Sequence, residues 1–171
     1  MEAAELEAFW KMPKGNFDRG LIFCGQNSGK VAEEFFLSTF PSEDELEDDD
    51  RGVPVLLVQC PEKSSAKALL LAVLETILRD DLYLVVPKSA RLCDLEKFVL
   101  HYLEVLKVEV LIFKDFDRLL SGRGQKEVLN ALKSLYNQSR TAFILTGSED
   151  LKWAVESDEQ ISRRFRWMLG R

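Results

Sequence analysis

The segment LIFCGQNSGKV, residues 21–31, joins a short apolar run to a glycine-containing loop and a lysine. The run at residues 21–24 is bounded by Gly20 and Gly25, which is typical of a strand that is buried on both faces. A helix is predicted from Gly29 to Phe40, and it is expected to end there because Pro41 follows. A strand that leads through a glycine loop into a helix favours an α/β fold with a phosphate site at this turn.

The loop contains the groups that a phosphate requires. Its residues are Gly25, Gln26, Asn27, Ser28, Gly29, Lys30 and Val31. Glycines let backbone N–H groups point inward, the helix N-terminus adds a positive dipole end, and Lys30 meets the outer phosphates. The alternative interpretation is a plain glycine-rich turn.

This loop differs from the usual P-loop pattern in two respects. Three residues separate its glycines where four are usual, and Cys24 stands at the position of the first glycine. Val31 replaces the Ser or Thr whose hydroxyl binds magnesium. We therefore expect ATP as a possible cofactor and regard a Mg²⁺ site as doubtful.

Strands and helices alternate along the rest of the chain. Further strands are predicted at 53–59, 108–113, 141–145 and 167–169, and helices at 64–79, 92–106, 125–138 and, broken, at 149–164. Residues 82–90 fit a short strand or an extended connector. The pattern predicts one α/β domain over residues 1–171, with a mostly parallel five-stranded sheet flanked by helices. It includes an N-terminal segment at 1–19 and an acidic loop at 42–52.

Composition limits the possible partners. The chain has 23 basic and 29 acidic residues, a net charge of −6, but residues 42–51 alone hold seven of the carboxylates and one arginine. The remainder is neutral, so a basic face is compatible with the sequence. No apolar run is long enough to cross a membrane. The first residues lack the charged and then apolar pattern of a secretory signal peptide, so we do not expect secretion.

The three cysteines and the single histidine do not form a recognisable disulfide or zinc pattern. Cys24, Cys60 and Cys93 are odd in number and widely spaced, which excludes a disulfide framework and predicts a reduced, cytoplasmic compartment. His101 is the only histidine and the cysteines are not clustered, so we expect no zinc site, and we assign no metal-binding residues.

The third predicted strand ends in Lys114-Asp115-Phe116-Asp117. In P-loop ATPases this strand supplies the aspartate that holds magnesium. Lys114 cannot ligate a cation, and if the register slips by one residue, Asp115 becomes the metal carboxylate. A strand that ends in a charged turn explains these residues equally well.

The arginines near the end of the chain have two interpretations. Residues 158–166 include Arg163, Arg164 and Arg166. They fit a solvated helix end or an arginine finger that reaches the phosphate of a neighbouring subunit.

Together these segments resemble the TniB/TnsC group of AAA+ ATPases, the transposition regulators of bacterial transposons. The resemblance rests on VPVLLVQ at 53–59, VEVLIFKDFDRLL at 108–120 and LTGSEDLKWAVESDEQISRRFR at 145–166. It implies a three-layer P-loop NTPase fold, the AAA+ core. It also implies roles for individual residues: Thr146 and Ser148 near the sensor-1 position, Arg164 as the finger, and Lys63 and Lys67 on DNA.

The resemblance further implies partners: double-stranded DNA, other copies of the chain, a transposase and a TniQ-type protein. The chain stops just after the fifth predicted strand, so we expect no helical lid. With Val31 and Lys114 at the metal positions, our leading hypothesis is an ATP-binding regulator that is deficient in hydrolysis, in which Lys114 replaces the missing cation. The alternative is a nucleotide-independent interaction module. A small-molecule P-loop kinase fits less well, because it needs the same magnesium ligands.

Overall fold

The computed structural model describes residues 20–25, 28–39 and 52–169. It contains one sheet of parallel strands in the order β2-β3-β4-β1-β5. The strands are β1 (Gly20–Cys24), β2 (Val55–Gln59), β3 (Val110–Lys114), β4 (Ala142–Gly147) and β5 (Phe165–Leu169). The prediction of an α/β fold with a parallel sheet flanked by helices is confirmed.

Helices connect successive strands, as parallel pairing requires. They are α1 (Ser28–Thr39), α2 (Ala66–Leu78), α3 (Leu82–Val85), α4 (Leu92–Val105), α5 (Gln125–Gln138), α6 (Asp150–Glu156) and α7 (Glu159–Ser162). Two 3₁₀ turns, Arg79–Asp81 and Phe116–Leu120, complete the described elements.

The sheet separates two apolar clusters. On one face α1 packs against residues of β1, β3 and β4, and that cluster consists of Leu21, Phe23, Ala32, Phe36, Val110, Ile112, Ala142 and Ile144. On the other face α2, α4 and α5 cover a larger cluster. Side chains alternate between the two clusters along β1 to β4, which explains why β1 and β3 are continuous hydrophobic runs.

Because the strands are parallel, their carboxyl ends meet at one edge of the sheet. We call this the carboxyl edge; Cys24, Gln59, Lys114 and Gly147 end the first four strands there. The opposite amino edge contains the starts of the strands. Ligands of open α/β sheets bind at the carboxyl edge.

The strand or extended connector expected at residues 82–90 is wrong in its first half, where the structure has the helix α3. Leu82 and Val86 are buried, whereas Tyr83, Leu84 and Val85 are exposed. A strand that buried Leu82 and Val86 would also bury Leu84 on the same face, whereas in a helix residue 84 points away from them. The β-branched valines concealed this period in the sequence.

Two predicted segments, residues 1–19 and the acidic stretch 42–51, lie outside the described residues. Within the described ranges, none of the helices has the length and apolar character that a membrane span requires.

Candidate functional site

The candidate phosphate loop begins where β1 meets β4. Gly25 has a φ of 121°, a conformation that side-chain-bearing residues rarely adopt. Its N–H donates a hydrogen bond of 3.1 Å to the carbonyl of Gly147. Gln26 and Asn27 lie outside the described residues, and Ser28 and Gly29 form the first turn of α1. The structure therefore places the predicted loop between strand and helix, at the carboxyl edge.

Lys30 and Val31 follow in the first turns of α1. The Lys30 side chain is 72% exposed, and its Nζ lies 3.8 Å from Glu34 Oε1. Val31 is half-buried and packs against the apolar cluster under α1. An apolar side chain in this position has no group that can bind a cation.

Lys114 ends β3 and pairs with Glu33. The two charged atoms, Lys114 Nζ and Glu33 Oε1, are 2.9 Å apart, and the glutamate side chain is only 15% exposed. The ammonium that was expected to replace a cation therefore already has a carboxylate beside it. Sequence reasoning missed Glu33; its position one turn beyond Lys30 in the predicted helix was the available signal.

Asp115 faces β2. It adopts the left-handed conformation, with φ 54° and ψ 48°. Gln59 Nε2 donates a hydrogen bond of 2.9 Å to its Oδ2, and Arg118 Nη2 lies 3.6 Å from the same oxygen. Since β2 is separated from β1 by two strands, these contacts direct Asp115 away from the strand that leads into the phosphate loop.

Asp117 faces β4 instead. Ser148 Oγ donates a hydrogen bond of 2.7 Å to Asp117 Oδ2. A Cβ atom placed on Gly147 would lie 2.5 Å from Asp117 Oδ1, so the glycine allows this close approach. The sequence pattern assigns no role to Asp117, because it lies three residues beyond the end of β3.

The negative charge of Asp117 also affects the pKa of Cys24, which lies directly before the loop. Burial is the main cause that raises the pKa of the Cys24 thiol to about 11; the Lys152 N–H opposes the shift, and the negative charge of Asp117 adds to it. The thiol is therefore protonated at neutral pH and acts as a small buried group.

Thr146 is buried in β4, and its Oγ1 donates a hydrogen bond of 3.4 Å to the carbonyl of Phe113. Of the two expected sensor-1 residues, Ser148 is the exposed one. The structure thus brings Ser148 to the carboxyl edge as a side chain and uses Thr146 to join β4 to β3.

Arg164 lies at the amino edge, directly before β5. Its Nε donates to Asn137 Oδ1 at 3.2 Å, and its Nη1 donates to the carbonyl of Gln160 at 2.6 Å. The adjacent Arg163 is exposed and pairs with Glu159 in the same helix. The phosphate loop is at the carboxyl edge, so Arg164 lies at the opposite edge of the sheet from the loop of its own chain.

Lys63 and Lys67 follow β2 at the carboxyl edge, and both are exposed. Lys67 Nζ lies 3.5 Å from the carbonyl of Ala90, at the start of α4. No group of three or more potential metal ligands (His, Cys, Asp or Glu) occurs in the part of the chain that the structure describes.

The fold is similar to that of known ATPases. The Walker-type ATPase PABY2304 of Pyrococcus abyssi matches with a TM-score of 0.65 and 19% identity, over 98% of this chain and 51% of that one. Chains of two Drosophila ORC structures also match over 98% of this chain. One, ORC bound to GC-rich DNA and Cdc6, gives a TM-score of 0.59 at 14% identity over 54% of its length. The other, bound to AT-rich DNA and Cdc6, gives 0.56 at 16% over 55%.

The chain spans about half the length of these solved structures. At such low identity the likeness shows the fold alone, an α/β fold similar to that of a P-loop ATPase. No curated protein matches the sequence. The sequence does match the family described as Bacterial TniB protein over residues 3–169. That match covers nearly the whole chain, which therefore belongs to the TniB family.

Proposed function

We propose that this TniB family member is a TnsC-like, ATP-binding regulator of transposition that is deficient in hydrolysis. Lys30 and the backbone of residues 25–30 hold the phosphates. Lys114 and Val31 stand where a hydrolytic site needs a carboxylate and a hydroxyl. The ion pair of Lys114 with Glu33 supports the deficiency in hydrolysis, because the residue at the expected position of the magnesium carboxylate is an ammonium that already has a carboxylate partner.

The loss of both metal anchors predicts slow turnover. Magnesium and its ligands neutralise the charge that develops on the transferred phosphoryl group, an effect worth several kcal/mol in metal-dependent enzymes. We expect ATP binding that does not require Mg²⁺, and no phosphate release above the buffer blank.

The test is a calorimetric titration of ATP into wild-type protein and Lys30→Ala, in Mg²⁺ and then in EDTA, with phosphate release measured on the same samples. Lys97→Ala, an exposed lysine on α4, is the matched control. Binding in both buffers that Lys30→Ala abolishes supports the proposal. Turnover that depends on Mg²⁺ and on Lys30 contradicts the deficiency in hydrolysis.

Assembly on double-stranded DNA is the second part of the proposal. Two of the similar structures are of ORC bound to DNA, and here Lys63 and Lys67 are exposed at the carboxyl edge. Each phosphate contact should add about 0.9 to the slope of log affinity against log salt. A Lys63/Lys67 double alanine variant with an unchanged slope contradicts these contacts. A transposase and a TniQ-type protein are the partners we propose for the assembled form.

Self-association would give Arg164 a role. From the amino edge it can act only on the phosphate of a neighbouring subunit, and it must first release Asn137 and Gln160. If Arg164 acts in this way, Arg164→Ala weakens ATP-dependent association and leaves ATP binding by the single chain unchanged.

A nucleotide-independent interaction module is the second candidate. One observation favours it: both lysines near the loop have carboxylate partners, Lys30 with Glu34 and Lys114 with Glu33. An absence of ATP binding in both buffers, together with salt-dependent DNA binding, would select this function.

A further inference from the structure

The Glu33–Lys114 ion pair joins the helix that follows the phosphate loop to the end of a central strand. Glu33 lies in α1, one turn beyond Lys30, and Lys114 is the last residue of β3. Their charged atoms are 2.9 Å apart. The pair therefore lies at the carboxyl edge, on the same helix as the candidate phosphate loop.

The two ends of the pair differ in freedom. The Glu33 side chain is 15% exposed and is held by the helix, whereas the Lys114 side chain is 38% exposed. A lysine has a flexible four-carbon stem and carries a compact charge that can change partners. The glutamate is thus the fixed member, and the ammonium is the member that can move.

We propose that Glu33 and the phosphates of a bound nucleotide compete for the Lys114 ammonium, so that Glu33 sets the nucleotide affinity of the site. This inference rests on the proposed nucleotide binding. Without a ligand the ammonium pairs with Glu33. When a phosphate chain enters, Lys114 turns toward it, and the Glu33 carboxylate is left as a nearby like charge. No bond or proton is exchanged.

The competition has a definite sign. A carboxylate beside the phosphates disfavours them by direct repulsion, and it also withholds the one cation that could replace magnesium. Removal of the Glu33 charge therefore strengthens binding, and most of the gain depends on Lys114. A purely structural role of the pair predicts the reverse, because a loosened helix would bind less well.

The experiment is a double-mutant cycle on ATP affinity in EDTA, measured by calorimetry with Glu33→Gln, Lys114→Met and the double variant. Glu104→Gln removes the same charge from an exposed site near the end of α4 and is the matched control. We expect Glu33→Gln to tighten binding by about two- to fivefold, the range of a partly exposed ion pair. In the Lys114→Met background the same change should alter affinity less than twofold.

Each result has one meaning. Weaker or unchanged binding by Glu33→Gln, or an equal gain in the Lys114→Met background, overturns the inference while wild-type ATP binding stands. Binding by Glu33→Gln alone supports the inference and contradicts nucleotide binding by the natural sequence. No binding by any of the proteins overturns both. Circular dichroism melts of each variant identify a loss that is due to unfolding.

Discussion

Ser148 Oγ donates a hydrogen bond of 2.7 Å to Asp117 Oδ2 and thereby joins the end of β4 to the 3₁₀ turn after β3. The adjacent Gly147 accepts the N–H of Gly25. Asp117 is thus connected, through Ser148 and Gly147, to the first residue of the phosphate loop. A change at Asp117 is expected to reach the loop through this connection.

Gly147→Ala tests the close approach of Asp117. The new Cβ would lie 2.5 Å from Asp117 Oδ1 and 3.3 Å from Leu151 Cδ2, so the carboxylate must shift and lose its bond to Ser148. We expect a loss of about 1–3 kcal/mol in the free energy of unfolding, the usual cost of overpacking. Urea denaturation measures it.

Asp117→Ala provides the control for that steric effect. In an Asp117→Ala background the carboxylate is gone, and Gly147→Ala should cost clearly less than in the wild type. Equal costs in the two backgrounds would mean that Asp117 does not limit the space at Gly147.

Asp158 gives a pH-dependent prediction. Burial alone would raise its pKa, but the Lys133 ammonium and the N–H groups of Ile161 and Gln160 donate hydrogen bonds that hold the pKa below its usual value. A carboxyl whose pKa is lower in the folded than in the unfolded state stabilises the fold above the unfolded pKa of about 3.9. That contribution is lost as the pH falls through the folded pKa.

We therefore expect Asp158→Asn to cost about 1 kcal/mol near pH 7, since an asparagine still caps the helix but loses the charge. The difference from wild type should shrink as the pH falls below about 4. Urea titrations across pH 3–7 measure this, with Glu104→Gln as the control. If the stability difference between wild type and Asp158→Asn is the same at every pH, the charge of Asp158 does not cause it.

The cysteines give a prediction about accessibility. Cys24 and Cys60 are buried and Cys93 is exposed. Burial raises the pKa of both inner thiols, with the nearby Asp115 and Asp117 charges adding to the effect at Cys60. Because the thiolate is the reactive form, iodoacetamide at pH 8 should label Cys93 first, and Cys93→Ser should leave the folded protein nearly unlabelled. Rapid labelling of Cys24 in the folded Cys93→Ser variant would contradict the buried end of β1.

Much of the fold follows from sequence pattern. The buried strands β1, β3 and β4 are continuous apolar runs, and α4 and α5 show clear amphipathic spacing, so their positions could be predicted within a few residues. The helix α3 could not, because its single turn is rich in valine and leucine and buries only Leu82. Periodicity needs more than one turn to be recognised.

The site was predicted less completely than the fold. The loop at residues 25–30 follows from local residue order, whereas the partner of Lys114 depends on how α1 lies over β3. Glu33 is 81 residues away from Lys114 in the sequence. The opposite directions of Asp115 and Asp117 likewise depend on the left-handed turn at Asp115, and residue types alone do not specify that turn.

We propose a nucleotide site that binds ATP without magnesium and does not hydrolyse it. Its most direct test is the calorimetric titration of ATP in EDTA, repeated in Mg²⁺, with wild-type protein and Lys30→Ala. We predict ATP binding of similar affinity in the two buffers and no binding by Lys30→Ala. Binding that appears only with Mg²⁺ would contradict this prediction, since Lys114 would then not replace the metal ion.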